Sequence, residues 1–165
     1  MPVRPLVTYP DPRLKAPALP VTAFDAALRD LVTDLTDTMR AAPGIGITGP
    51  HIGVLQRVVV MELEPGAVGV YINPVLAFAA PERFRHAEGS VSMPGVTEEF
   101  ERSARVRITY LDLEGRPCEE EAEGLRAVCH QHEIDQLDGI FWLQRLSRLK
   151  RERVTRRFEK LQRPG

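Results

Sequence analysis

One helix sets the terms for this chain. From about Gly124 to Leu137, Leu125, Val128 and Cys129 recur at the three- and four-residue spacing of a buried helical stripe, and Asp138-Gly139 stops it. The same stripe continues to His132 and then to Gln136, so a face that must be buried turns polar along its length. Polar groups on a buried face need partners, and those partners often belong to a site.

The other elements are shorter. Residues 1–20 carry Pro2, Pro5, Pro10, Pro12, Pro17 and Pro20, which predicts an extended segment lying over a surface. A first helix starts at Thr22 as N-cap and carries Leu28, Leu31, Val32, Leu35 and Met39 at helical spacing. Pro43-Gly44 ends it, and Asp25, Asp30, Asp34 and Asp37 form its solvated face. Arg57–Met61 and Gly69–Ile72 are β-rich runs. In Arg105–Tyr110, Val106, Ile108 and Tyr110 alternate with Arg105, Arg107 and Thr109, as in a half-buried antiparallel strand, and Glu114-Gly115 marks a turn. A length of 165 residues predicts one domain, 1–165, with a core large enough to need no disulfide staples.

Charge narrows the function classes. The net charge is −1, which argues against a globally basic nucleic-acid binder and leaves no DNA partner. Cys118 and Cys129 form neither a disulfide framework nor a C-x-x-C motif and suit a reducing compartment. The start lacks an apolar signal region, and no apolar run approaches the roughly 18 residues of a membrane span. The expectation is a cytoplasmic protein with no membrane partner. The charge is uneven, however. Arg145–Gly165 holds nine basic and two acidic residues, a local +7 that leaves −8 for the rest. Leu146, Leu149, Val154, Phe158 and Leu161 give this tail a rough apolar seam, predicting a helix over about 147–162 docked by the seam with a basic outer face. The sharper reading of that face is an RNA-facing surface, a contact to the ribosome.

Three short segments carry chemistry. Gly44-Ile-Gly46-Ile-Thr-Gly49 matches G-x-G-x-x-G but follows a helix and Pro43, where a dinucleotide fingerprint would follow a strand and open a helix. It reads instead as a glycine-rich turn where backbone approaches something closely. Glu88-Gly-Ser90-Val-Ser92 offers a serine but lacks the G-x-S-x-G context. His132-Glu133-Ile-Asp-Gln136 has the spacing of helical H-E-x-x-H, in which two imidazoles one turn apart hold a metal and the Glu takes a proton from metal-bound water; here Gln136 stands for the second His. His130 points about 200° from His132 on a helix and reads as a surface or supporting residue. His86 is a candidate for the mouth of a site.

Together these segments resemble the three motifs of the peptide deformylase family, in order as well as in residues. Gly44-Ile-Gly46-Ile-Thr-Gly-Pro-His51 is similar to G-φ-G-φ-A-A-x-Q, Glu88-Gly-Ser90-Val-Ser92 to E-G-C-φ-S, and Gln131-His132-Glu133-Ile-Asp135-Gln136-Leu-Asp-Gly139 to Q-H-E-x-D-H-L-x-G. The resemblance covers nearly the whole chain. It implies an α+β fold: antiparallel sheets around a central motif-bearing helix, with N-terminal and C-terminal helices. It also implies a reaction, hydrolytic removal of the N-formyl group from the N-terminal methionine of new bacterial proteins, on a Zn or Fe ion held by a Cys and two His.

Carried over residue by residue, the resemblance gives Glu133 as general base and acid, His51 at the oxyanion-stabilising Gln position, and the Val91 backbone N–H as a second oxyanion donor. The metal positions become His132, Ser90 and Gln136, with His51 as a candidate replacement ligand. Glu88 and Arg102 match a pair that braces the site in the family. A hydroxyl and a carboxamide replace a thiolate and an imidazole, so a divalent metal is expected to be absent or weakly bound. The expected partner is a peptide N-terminus or a small N-acyl ligand. The expected activity is weak or absent deformylation; the alternatives are a non-catalytic pseudoenzyme holding such a ligand, or an amidohydrolase with a different N-acyl substrate.

Overall fold

The computed structural model describes residues 3–163; Pro2 of the proline-rich start and the last two residues of 1–165 lie outside it. Helix α1 spans Ala26–Ala41. Its N-cap is Asp25, not Thr22: the Asp25 carboxylate accepts from the Leu28 N–H at 3.1 Å, and the chain from Thr22 to Phe24 is not helical. Leu28, Leu31, Val32, Leu35 and Met39 are all buried, as their spacing requires.

The strands are β1 (Gly46–Thr48), β2 (Val58–Glu62), β3 (Val68–Ala79), β4 (Arg83–Ser90), β5 (Met93–Ser103), β6 (Arg105–Leu111) and β7 (Pro117–Glu123). Five of them form an antiparallel sheet in the order β1-β2-β3-β6-β7, and β4 and β5 pair as a separate hairpin. Val106 and Ile108 are buried on β6 as the alternation predicts, while Tyr110 is half-buried. Strand β3 outruns its neighbour: β2 covers it only as far as Ile72. Beyond that point Val75, Leu76 and Phe78 are exposed.

Helix α2, Leu125–Leu137, lies at the centre and touches every strand from β1 to β7. Ten of its thirteen residues are buried, including the polar His130, His132, Glu133, Asp135 and Gln136. It ends at Asp138, and Gly139 turns the chain with φ +79, the left-handed region that favours glycine. Helix α3, Arg148–Gln162, is capped by Ser147 and packs on β5 through Val154 and Phe158. The seam is shorter than expected. Leu149 and Leu161 stand 67% and 58% exposed, because only the middle two turns face the hairpin. The result is an α+β arrangement, with antiparallel sheets around the central α2 and a helix near each end of the chain.

The cap assignment is testable. Asp25→Ala should lower stability by about 1 kcal/mol, read as an earlier urea midpoint at unchanged slope, and Thr22→Ala should leave the midpoint in place.

Candidate functional site

The polar stripe of α2 faces a cleft of about 570 Å³ between the β1 turn, the β4–β5 hairpin and the helix. Gly46, His51, His86, Glu88, Ser90, Val91, Cys129, His132 and Glu133 all line it. Residues more than eighty positions apart, expected at one site from sequence, are thus brought together.

An ion-pair chain stands behind the cleft and meets it at Glu88. Arg102 grips both oxygens of Glu88, through Nε to Oε2 at 2.6 Å and Nη2 to Oε1 at 2.9 Å. Its remaining Nη1 donates to Asp135 Oδ2 at 2.9 Å, and Arg145 closes on the same Asp135 with two further bonds. Arg102, Glu88 and Asp135 are buried, which makes these charge-assisted bonds strong and mutually dependent. Glu88 also accepts from His132 Nδ1 at 2.6 Å. Burial alone would push Glu88 up; His132 and Arg102 outweigh it and hold the carboxyl at about 2. Burial works against the charged form of His132, but Glu133 and Glu88 together raise it. With Nδ1 committed to Glu88, only His132 Nε2 is left to meet a ligand.

Glu133 sits one residue on and is buried with Oε1 unpartnered. Burial pushes its carboxyl up to about 7, against the pull of His132. Gly46 makes room for it: a Cβ there would collide with Glu133 Oε2. The glycine-rich turn read from sequence is therefore a close approach of backbone to this carboxylate.

His51 enters on a short 3-10 turn, Gly49–Ile52. Its Nδ1 accepts from the Thr48 N–H at 2.9 Å, so the ring's proton lies on Nε2. Nε2 is buried without a partner, and burial, with the nearby His132, lowers the ring to about 3. His51 is thus a neutral N–H donor on the cleft wall. His86 Nδ1 lines the same cleft, also buried and unpartnered.

Two of the expected metal positions behave differently. Ser90 lines the cleft, with its Oγ accepting from the Ser92 N–H at 3.0 Å. Gln136 does not line it. Its Nε2 donates to the Leu14 carbonyl at 2.7 Å, tying α2 to the N-terminal segment. Among the described residues, no three His, Cys, Asp or Glu side chains stand together as a metal-binding group, so His51 does not complete a cluster with His132 and Glu133.

Sequence reasoning missed Asp135 and Arg145, the outer half of the ion chain, and Thr48, which fixes the His51 proton. Thr48 and His51 are three residues apart, the spacing of a capping box, and that signal was available. Cys129, read only as core, also lines the cleft. His130 is buried on the far side of α2, where its Nε2 bonds Glu120 at 2.6 Å, so it is not a surface residue.

The sequence profile of the family described as Polypeptide deformylase matches residues 3–152. The chain belongs to the polypeptide deformylase family. A relative from Brucella suis named peptide deformylase-like is 65% identical over 99% of this chain and 100% of its own length. The same strain also has a relative named peptide deformylase, 41% identical over 98% of this chain and 94% of its own. A peptide deformylase from Synechococcus elongatus, solved in complex with actinonin, superposes with a TM-score of 0.92 at 32% identity, covering 100% of this chain and 94% of that one. The deformylase fold is therefore present over the described chain.

Glu133 gives a pH-dependent prediction. The unfolded carboxyl loses its proton near 4.5 and the folded one near 7, so between these values the folded state binds more protons and stability falls as pH rises. Glu133→Gln cannot ionise. Its stability relative to the parent should grow from pH 5 to 7 and then level off, by up to about 3 kcal/mol, measured by urea unfolding across pH.

Proposed function

We propose that this chain keeps the deformylase cleft but not the family's metal-dependent chemistry, and that it holds a peptide N-terminus or another small N-acyl ligand without turning it over. The observation that carries this is the chemistry at the expected metal positions: Ser90 brings a hydroxyl to the cleft where a thiolate is expected, and Gln136, a carboxamide, is not among the residues that line it. A thiolate and two imidazoles suit Zn²⁺ or Fe²⁺. At the three family metal positions this chain offers one imidazole, His132, with a neutral hydroxyl and a carboxamide, and that donor set does not fit the metal. Water left to Glu133 alone keeps its ordinary pKa, near 15.7, far above the carboxyl.

What remains is a binding site. His51 Nε2–H and the Val91 backbone N–H would donate to an acyl oxygen, and Glu133 Oε1 would meet an amide. That a deformylase of this fold was solved with actinonin supports a small ligand in the cleft. The Brucella suis pair supports a division of labour, since a deformylase and a deformylase-like protein occur in one strain. The same reading places the protein in the cytoplasm as one domain, with the outer face of α3 toward the ribosome; Arg148 there is 86% exposed. A second reading, an amidohydrolase acting on a different N-acyl substrate, draws on Glu133: a carboxyl held near 7 is suited to general acid–base work.

Elemental mass spectrometry on protein purified without chelators or a His-tag tests the proposal alongside formate release from an N-formyl-methionyl peptide. The expected result is near-zero Zn, Fe or Ni per chain, peptide binding, and formate release at background. Ser90→Cys with Gln136→His should restore metal binding, and adding His51→Gln should restore measurable deformylation. One equivalent of metal in the parent together with formate release would overturn the proposal. Metal-free release from other N-acyl substrates would favour the second reading.

A further inference from the structure

A second cavity, of about 650 Å³, is lined by Arg102, Asp135 and Arg145 of the ion-pair chain. Arg102 reaches on to Glu88 of the cleft, so one side chain links the two cavities. Leu76 and Phe100 supply apolar lining, and the exposed end of β3 forms one lip. Two arginines stand over it with donors to spare. Arg145 is half-exposed and uses Nε and Nη2 on Asp135, leaving Nη1 free of any hydrogen bond among the described residues. Arg83 donates only from Nη2 to the Glu101 carbonyl and enters no ion pair among the described residues. Of the three carboxylates here, Asp135 holds Arg102 and Arg145 and Asp138 holds Arg57, while Glu101 is half-exposed with Arg85 at 3.5 Å.

We propose that this cavity binds a small organic acid, a carboxylate carried on an apolar group, with the carboxylate on Arg83 and Arg145 and the apolar part against Leu76 and Phe100. The volume suits such a ligand, and planar guanidinium donors match a carboxylate better than any neutral group. Occupancy is felt in the cleft. A carboxylate that draws Arg145 from Asp135 leaves Asp135 to Arg102 alone, and Arg102 then redistributes its hold between Asp135 and Glu88, the partner of His132. Sites linked through shared partners in this way are coupled reciprocally. The inference stands whether or not the cleft is catalytic.

The test is NMR titration of the intact chain with 3-phenylpropanoate and, separately, with its neutral primary amide. The acid should shift the side-chain Nε–H signals of Arg145 and Arg102 and the ring signals of His132, saturably, and the amide should shift none of them. Arg83→Gln, a change on an exposed strand outside the cleft, should weaken the acid about fivefold or more. Equal response to acid and amide would overturn the proposal. So would acid shifts confined to cleft residues such as Val91, or an affinity unchanged in Arg83→Gln. If Arg83→Gln perturbs folding, Leu76→Ser provides the second variant: it should weaken the acid, and unchanged affinity would again count against the site.

Discussion

Arg102 is the group on which the rest of this structure depends. One guanidinium, 6% exposed, satisfies two carboxylates from different elements, Glu88 on β4 and Asp135 on α2, and stacks over the Phe100 ring at 4.8 Å. Three segments are fixed to each other by this one side chain: both strands of the hairpin and the central helix. Buried charges are tolerated only when all are paired, and here each is. Removing one member would strand the others, at about 3–5 kcal/mol, whereas an exposed pair such as Arg148–Glu152 contributes a fraction of that. Glu88 then acquires its second task. Held by Arg102, it is rigid and ionised enough to fix the His132 ring.

The cleft is built around what this arrangement leaves unsatisfied. A folded chain rarely buries polar atoms without partners. Here His51 Nε2, His86 Nδ1 and Glu133 Oε1 share one cavity in that condition. Atoms of this kind mark where a ligand or water completes the structure, and their chemistry describes what fits. The His51 proton lies on Nε2 because the Thr48 backbone occupies the other nitrogen, so the wall presents a neutral donor beside a carboxyl held near 7.

Much of this was legible in the sequence, for identifiable reasons. Helix α2 could be bounded because its stripe and its Asp138-Gly139 stop are local signals, and α3 because Val154 and Phe158 lie on a seam at helical spacing. The α1 cap was misplaced because Thr22 and Asp25 are both capping residue types, and only geometry shows which reaches the Leu28 N–H. The β4–β5 hairpin was hidden by its charges. Arg85, Glu99 and Glu101 face solvent across the strands, and no apolar alternation announces the pairing. The site residues fell on the motifs, and so did Asp135, but no sequence signal assigned Asp135 or Arg145 a role. Asp135 and Arg145 are ordinary charged residues until Arg102 joins them.

The bond from Gln136 to Leu14 joins positions 122 residues apart, and it has a chemical consequence. A histidine at 136 also carries a ring N–H, and such a group commonly donates to a backbone carbonyl while the other ring nitrogen meets a metal. The Leu14 carbonyl can therefore be served by either residue. What the glutamine changes is the atom left over: a neutral amide oxygen where a histidine would offer a ring nitrogen. The same tie between the central helix and the N-terminal segment is thus compatible with two kinds of cleft.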